Sequence, residues 1–197
     1  MKQKISLLST VLALLFFVSC NTTEVKDETP NVEPVEESQP AVTISEQEVL
    51  DAQKTWGEGI VQIGKIFTEE GDYTAAAKKH IAELYGYNLG PVLFKPTLAA
   101  EKQFRTTEEG ALSYFVGANE NFSEDKGFAI KPWTNVRWES TGVKTEGNMA
   151  IAMGNYYFTP ADGSDDVKVE YTFGYTKDDQ GKLRIIMHGS FLPYSGG

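Results

Sequence analysis

Residues 166–192 read DVKVEYTFGYTKDDQGKLRIIMHGSFL. Aromatic and β-branched residues alternate with polar ones up to Lys177, and a second apolar run begins at Leu183. A period of two is typical of half-buried strands, and the short Asp-Asp-Gln-Gly connection favours an antiparallel hairpin. This stretch therefore predicts the last two strands of an antiparallel sheet, at about 166–177 and 183–192.

Two earlier segments, at about 128–142 and 148–159, have the same strand character. Gly, Asn and Asp cluster between successive segments, as at residues 145–148 and 162–166. Short polar connections of this kind favour hairpins over crossovers, so the four segments predict a meander. Prolines limit residues 90–97 to short extended pieces.

Helical patterns precede the strands. Ser45 and Glu48 have the spacing of a capping box, and apolar residues then recur at three- and four-residue steps as far as Phe67. A second helix is expected at about 74–85 and a short third at 110–117, with Thr106 to Glu109 as its capping segment. The pattern predicts an α+β fold, with three N-terminal helices packed on a curved, mainly antiparallel sheet that curls around the long helix.

The N-terminus indicates export. Two lysines precede an apolar run from Ile5 to Val18, and small Ser19 precedes Cys20. We expect a lipoprotein signal peptide at 1–19, cleavage before Cys20, and lipid on that cysteine. The protein would then be anchored to the bacterial cell envelope, on the periplasmic or outer-membrane face. An ordinary secretory signal with an incidental cysteine is the alternative.

The remaining chain divides into a tether and one domain. Residues 20–43 hold the lipidated cysteine and an acidic, proline-containing segment that we expect to be disordered. Residues 44–197 suffice for a single domain with its own core. The net charge of −10 and the lack of a basic cluster exclude nucleic acid as a partner. We expect contact with the membrane through the lipid only.

Cysteine and histidine counts limit the chemistry. Cys20 is the only cysteine, so no intramolecular disulfide is possible, and there are only two histidines, His80 and His188. A three-histidine zinc site within one chain is therefore excluded. A site of two histidines and a carboxylate stays open, although no motif supports it. We expect no metal and no other cofactor.

His188 and Ser190 are predicted to point the same way from the last strand, together with Arg184 and Ile186. A four-residue turn would place Tyr171 opposite His188, and a three-residue turn would place Thr172 there. Both faces of this strand are apolar, and a strand of that kind is covered on both faces. If the helices cover one face, a second subunit covers the other, which predicts a homodimer.

The His188–Ser190 pair does not predict a nucleophilic triad, because two residues on one strand lie roughly 6 to 7 Å apart. A general acid or base role for His188 is better founded, since imidazole titrates near neutral pH. The alternative is a core histidine bonded to a tyrosine hydroxyl or a backbone carbonyl. His80 is expected on a helix surface, and the strand tyrosines, Tyr156 among them, are expected in the core.

Six blocks of the sequence read LGPVLFKPT at 89–97, GALSYFVG at 110–117, GFAIKPW at 127–133, AMGNYYFT at 152–159, EYTFGY at 170–175 and KLRIIMH at 182–188. In this order they resemble the iota-class carbonic anhydrases. Together they span nearly all of residues 45–194. The resemblance implies the cone-shaped nuclear transport factor 2-like fold, which is also that of the calmodulin-kinase association domain.

The family resemblance also implies a reaction, the hydration of carbon dioxide to bicarbonate, here without metal. The threonine of the FKPT block corresponds to Thr97 and the tyrosine of the LSY block to Tyr114. The first histidine and first serine of the family motif correspond to His188 and Ser190. Thr97, Tyr114 and Ser190 would bind bicarbonate, and His188 would accept or shuttle the proton of the attacking water.

One departure from the family pattern affects the activity. The family motif His-His-Ser-Ser reads His188-Gly189-Ser190-Phe191 in this chain. By strand parity Gly189 and Phe191 face away from His188 and Ser190, so the pocket is expected to be intact. If the second histidine of the motif carries the proton instead, this chain would be a weak or inactive member. A non-catalytic domain of the same fold, which binds a small ligand or serves assembly, is the alternative function.

Overall fold

The computed structural model describes residues 43–196. The predicted signal peptide, Cys20 and the tether up to residue 42 lie outside them. The elements in chain order are α1 Glu46–Thr68, α2 Tyr73–Leu84, β1 Leu93–Lys95, α3 Glu108–Val116, β2 Trp133–Glu146, β3 Met149–Pro160, β4 Val167–Lys177 and β5 Leu183–Phe191. None of the helices in this range is long and apolar enough to cross a bilayer.

The long helix α1 begins at the predicted capping box. The Ser45 hydroxyl accepts from the Glu48 backbone N–H, and the Glu48 carboxylate accepts from the Ser45 N–H. Lys177 on β4 contacts the same carboxylate at 2.6 Å, and these bonds lower the pKa of Glu48 to about 2. The buried face of α1 centres on Trp56, which lies under the sheet.

Two helical details differ from the expectation. The cap of α3 is Thr107, whose hydroxyl accepts from the Gly110 N–H, and not Thr106. His80 on α2 is buried, with its ring near Trp56 and Phe115, so its predicted surface position is wrong. The space for this ring comes from Gly59, where any Cβ would lie within 2.1 Å of the His80 Nδ1.

The five strands form one mixed sheet in the order β1-β5-β4-β3-β2. The four long strands are an antiparallel meander, and the short β1 pairs with β5 in parallel. The predicted α+β fold, with three helices before a mainly antiparallel sheet, is confirmed. The first predicted strand is shifted: residues 128–130 form a 3₁₀ turn after Gly127, whose φ is +79°, and the strand begins at Trp133.

Both predicted partners of His188 on β4 are wrong, because Phe173 lies opposite it. The connection is five residues long, since Lys177 pairs with Leu183. A bulge at Ile186 then adds one residue to β5: Tyr175 pairs with Ile185, but Gly174 pairs with Met187.

The bulge also changes the faces of β5, because one extra residue moves every later side chain to the opposite face. His188 and Ser190 therefore share the inner face with Ile185, and not with Arg184 as predicted. Arg184 instead donates from Nη1 to the carbonyls of Ala82 and Glu83 at the end of α2, at 2.7 and 2.9 Å.

The outer face of the sheet carries exposed apolar side chains. They are Leu93, Ile151, Met153 and Phe191, which we call the outer apolar face. Gly189 and Phe191 lie on this side of the sheet, as predicted. Gly189 pairs with Thr172 on β4 and Lys95 on β1, which are the neighbours of the inward-facing Phe173 and Phe94. The predicted homodimer stays a prediction.

Candidate active site

The inner face of β5 presents His188 and Ser190, with 2% and 3% of their surface exposed. The imidazole of His188 lies between the rings of Phe173 and Phe94, with centroid distances of 4.1 and 4.7 Å and interplanar angles of 19° and 8°. Trp56 meets it edge-on at 5.4 Å. The histidine that sequence analysis singled out is therefore held in an aromatic sandwich.

Burial decides the charge of this histidine. Loss of solvation disfavours the imidazolium ion and lowers the pKa of His188 from 6.5 to about 3. Within residues 43–196 no carboxylate is bonded to the ring to oppose this effect, since its two nitrogens face the hydroxyls of Tyr85 and Tyr156. His188 is therefore neutral at pH 7.

A continuous series of hydrogen bonds passes through the His188 ring. On one side the Trp56 Nε1–H donates to the Tyr85 hydroxyl at 2.9 Å, and that hydroxyl lies 2.9 Å from His188 Nδ1. We call the whole series the neutral chain, and it consists of Trp56, Tyr85, His188, Tyr156, Ser190 and Thr97.

On the other side, His188 Nε2 lies 3.4 Å from the Tyr156 hydroxyl, which is bonded to Ser190 Oγ. Ser190 Oγ in turn lies 2.6 Å from Thr97 Oγ1. The neutral chain thus connects α1, the end of α2, the sheet and the loop after β1.

Tyr114 completes the polar lining from α3. Its hydroxyl accepts from the Leu98 N–H at 3.4 Å, which leaves its own O–H available to a ligand. Burial raises the pKa of Tyr114 to about 12 and raises those of Tyr85 and Tyr156 as well. The hydroxyls around the pocket are consequently neutral donors at physiological pH.

The four predicted site residues line one enclosed pocket. Thr97, Tyr114, His188 and Ser190 share it with Tyr156 and the apolar side chains of Trp56, Phe94, Pro96 and Phe128. The free space is about the size of one water molecule. A space of this size excludes a large apolar ligand, and bicarbonate, with four heavy atoms, fits only if the lining side chains move apart.

A second group of buried polar residues, the Arg105 cluster, holds the loop that carries Thr97. It consists of Arg105, Ser113, Glu124 and Asp125. Arg105 is fully buried and donates to both carboxylate oxygens of Asp125, at 2.6 and 3.1 Å. Ser113 on α3 donates to the same carboxylate at 2.6 Å.

Glu124 binds the backbone of the loop that carries Thr97. Its carboxylate accepts from the backbone N–H groups of Ala100, Glu101 and Lys102, at 2.7, 3.0 and 2.9 Å. These bonds lower the pKa of Glu124 to about 2. Since Tyr114 follows Ser113 on α3, the Arg105 cluster holds both Thr97 and Tyr114 in place from behind.

Sequence reasoning missed Trp56 and Tyr156, which line the pocket, and Tyr85, which contacts His188 from outside the lining. Tyr156 shares the inner face of β3 with Ala152 and Phe158, and that parity could have identified it. No sequence pattern identifies Tyr85, because it lies just after α2, outside any helix or strand period. Its β-bridge to Ile185 brings it next to β5.

Metal ligands do not gather within residues 43–196, where no three His, Cys, Asp or Glu side chains come together. His80, which lies apart from the pocket lining, is buried, and desolvation lowers its pKa to about 4. Its Nε2 has no hydrogen-bond partner among the described residues.

The fold and the pocket define a class: a small α+β domain with a small, uncharged, hydroxyl-lined pocket at its centre. The sequence profile of the family described as metal-independent carbonic anhydrase matches residues 47–192. The chain therefore belongs to the metal-independent carbonic anhydrase family, and the predicted family membership is confirmed.

Two relatives with nearly half of their residues identical agree with this assignment. A metal-independent carbonic anhydrase of Nostoc sp. (strain PCC 7120) is 49% identical over 154 residues, which cover 77% of this chain and 75% of that protein. The crystal structure of a cyanobacterial iota-carbonic anhydrase complexed with bicarbonate matches with 47% identity and a TM-score of 0.76, over 79% of this chain and 96% of that one. A nuclear transport factor 2-like protein from Salmonella enterica gives 13% identity and a TM-score of 0.46, over 77% of this chain and 92% of that one.

Proposed function

We propose that this protein interconverts carbon dioxide and bicarbonate in the enclosed pocket, without a metal ion. The observation that carries the proposal is the gathering of Thr97, Tyr114, His188 and Ser190 around one small space, in a family named for this reaction. The relative crystallised with bicarbonate supports bicarbonate as the ligand.

Hydration of carbon dioxide requires the protein to position the reactants and to stabilise the negative charge that forms. A water oxygen attacks the carbon of carbon dioxide, a C–O bond forms, and the electrons of one C=O bond move to oxygen as negative charge. The water loses a proton to solvent, and bicarbonate results. Neutral hydroxyl donors of Thr97, Tyr114 and Ser190 can stabilise the developing oxyanion in a site that excludes bulk water.

The altered motif does not touch this pocket. Gly189 and Phe191, which stand where the family motif has its second histidine and second serine, lie on the outer apolar face. This placement supports an active protein, because the inner positions His188 and Ser190 are the ones that reach the ligand.

Stopped-flow measurement of carbon dioxide hydration by the purified full-length protein, with and without chelator, tests the proposal. We expect activity that survives chelator. Thr97→Val and Tyr114→Phe each remove one donor and should lower kcat roughly ten- to a thousandfold. Thr172→Val is the matched control, since Thr172 pairs with Gly189 and faces outward, and it should keep full activity.

Other outcomes decide against parts of the proposal. A wild-type protein with no rate above buffer, but with measurable bicarbonate binding, would indicate the non-catalytic alternative. Loss of activity on chelation would overturn the metal-free assignment. Full activity in His188→Ala would show that His188 has no part in catalysis.

We propose in addition that a second copy covers the outer apolar face. The support is the exposure of Leu93 (65%), Ile151 (53%) and Met153 (51%) on one side of a sheet whose other side is covered by helices. Sedimentation that gives a monomer at micromolar concentration contradicts this homodimer.

Export and anchoring are also proposed, and sequence alone supports them. The layout of residues 1–19 and the position of Cys20 favour a lipid-anchored protein of the cell envelope. Mass spectrometry of the membrane fraction should find acyl chains on Cys20, and an unmodified N-terminal peptide contradicts the anchor.

A further inference from the structure

The Trp56 end of the neutral chain determines which atom donates in its first hydrogen bonds. An indole N–H can only donate, so the Tyr85 hydroxyl oxygen accepts from Trp56 Nε1. The hydroxyl has a single hydrogen of its own, and the acceptor within reach is His188 Nδ1 at 2.9 Å. Tyr85 therefore donates to Nδ1, and that nitrogen carries no proton.

The place of the His188 proton follows from this assignment. The proton of a neutral imidazole is on one nitrogen, so it lies on Nε2 when Nδ1 accepts. Nε2–H then donates to the Tyr156 hydroxyl oxygen. Beyond it the hydroxyls of Tyr156, Ser190 and Thr97 are bonded in series, and either partner of each of these bonds can donate.

The opposite tautomer leaves a donor without a partner. With the proton on Nδ1, the Tyr85 oxygen would accept from both His188 and Trp56, and the Tyr85 hydrogen would have no acceptor in the described contacts of this buried group. An unmade hydrogen bond of a buried group favours the Nε2 tautomer on the order of ten- to a hundredfold.

We propose that Trp56 and Tyr85 are positioning residues that hold the proton of His188 on Nε2, so that His188 presents a hydrogen-bond donor and not a base to the substrate side of the pocket. This inference rests on the proposed function for its catalytic meaning, and it replaces the proton-acceptor role predicted for His188 from sequence. The donors of Trp56, Tyr85 and His188 then all point toward the hydroxyls that line the pocket.

The same geometry closes one route for the proton. A proton taken up at the Thr97 end could leave past His188 only if Tyr85 passed it to the indole, which has no acceptor lone pair. The proton of the attacking water therefore leaves on the pocket side, to solvent water or a buffer base. The neutral chain orients and donates, and it does not conduct a proton through the core.

Nitrogen-15 NMR of histidine-labelled full-length protein tests the tautomer directly, because protonated and unprotonated ring nitrogens have well-separated shifts. The chain has only two histidines, and the variant His80→Leu assigns the signals. At pH 7 we expect His188 with an unprotonated Nδ1 and a protonated Nε2. The reverse pattern overturns the proposal.

Tyr85→Phe and Tyr175→Phe form the matched pair of variants. Both tyrosines are buried, but the Tyr175 hydroxyl has no hydrogen-bond partner among the described residues. Tyr85→Phe should give a mixture of His188 tautomers and lower kcat about ten- to a hundredfold, with KM changed less than threefold. Tyr175→Phe should leave both unchanged.

Each result has one meaning. A Tyr85→Phe protein with the wild-type spectrum and wild-type kcat overturns the positioning role. If Tyr85→Phe does not fold, the wild-type spectrum still decides the tautomer. A wild type without carbon dioxide hydration, but with a protonated Nε2, would remove the proposed function and leave the tautomer assignment standing.

Discussion

The Arg105 cluster and the neutral chain are two buried polar groups that hold opposite ends of one loop. In the Arg105 cluster a full charge is met by fixed partners, with both Asp125 oxygens on one guanidinium. In the neutral chain no member is charged at pH 7, and the series ends at Ser190 and Thr97, which line the pocket. Charges with fixed partners stabilise the fold, whereas a neutral series of hydroxyls that ends at a pocket can bind a ligand.

The largest expected effect tests the charged side of this comparison. Asp125→Ala leaves the Arg105 guanidinium buried beside only the more distant Glu124, at 3.5 Å, and backbone carbonyls. Removing one partner of a buried ion pair costs about 3 to 5 kcal/mol. We expect a fall of that size in the free energy of unfolding, measured by urea denaturation.

The matched control is the exposed ion pair of Arg137 and Glu139, whose side chains are 46% and 51% exposed at a separation of 2.6 Å. Glu139→Ala should lower the free energy of unfolding far less than Asp125→Ala does, because exposed pairs contribute little. Equal effects of the two substitutions would mean that the Arg105 cluster does not hold the loop through its charge.

An intermediate effect comes from pH. The pKa values of His188 and His80 fall in the folded protein from 6.5 to about 3 and about 4. Below pH 6.5 the unfolded chain therefore binds protons that the folded chain does not, so stability is lost as the pH falls. One unit below 6.5 each histidine costs about 1.4 kcal/mol, or about 3 kcal/mol together.

The window between pH 6.5 and 4.5 isolates this effect. Glu48 and Glu124 have pKa values of about 2 in the folded protein, so their contribution is lost only below 4.5, where the unfolded chain takes up their protons. Thermal unfolding across this window should show a decline that His80→Leu reduces by about half. A flat profile would show that the two rings are solvated.

Sequence could predict the elements of this fold because each has a local cause. The capping box at Ser45, the apolar steps of α1 and the alternation in β4 depend on neighbours in the chain. The four pocket residues came from resemblance to a family, and the structure brings them together in one pocket.

The errors have a common origin in contacts between distant elements. The bulge at Ile186 has no local signal, yet this one residue decides that Phe173 faces His188. His80 is buried because α2 packs against Gly59 on α1, which no pattern around residue 80 reveals. In the sequence Trp56 and Tyr85 have the pattern of core aromatics. They belong to the neutral chain because Trp56 Nε1 lies 2.9 Å from the Tyr85 hydroxyl oxygen, which only the folded structure shows.

The smallest expected effect on stability tests the neutral side of the comparison. Tyr156→Phe removes the link between His188 Nε2 and Ser190, and we expect a loss of about 1 kcal/mol in the free energy of unfolding. Tyr171→Phe is the control, because the buried Tyr171 hydroxyl has no partner among the described residues, and it should cost less than about 0.5 kcal/mol.

Of Tyr156→Phe and Asp125→Ala, the more stable variant should be the less active one. Tyr156→Phe breaks the series of donors that ends at Thr97, so kcat should fall at least about tenfold although the fold is nearly as stable as before. Asp125→Ala should lose less kcat than this at a temperature where it stays folded, because Glu124 still accepts from the backbone N–H groups of residues 100–102. If kcat followed stability across both variants, the neutral chain would be one more part of the scaffold, and the division between structural charges and ligand-binding hydroxyls would not hold.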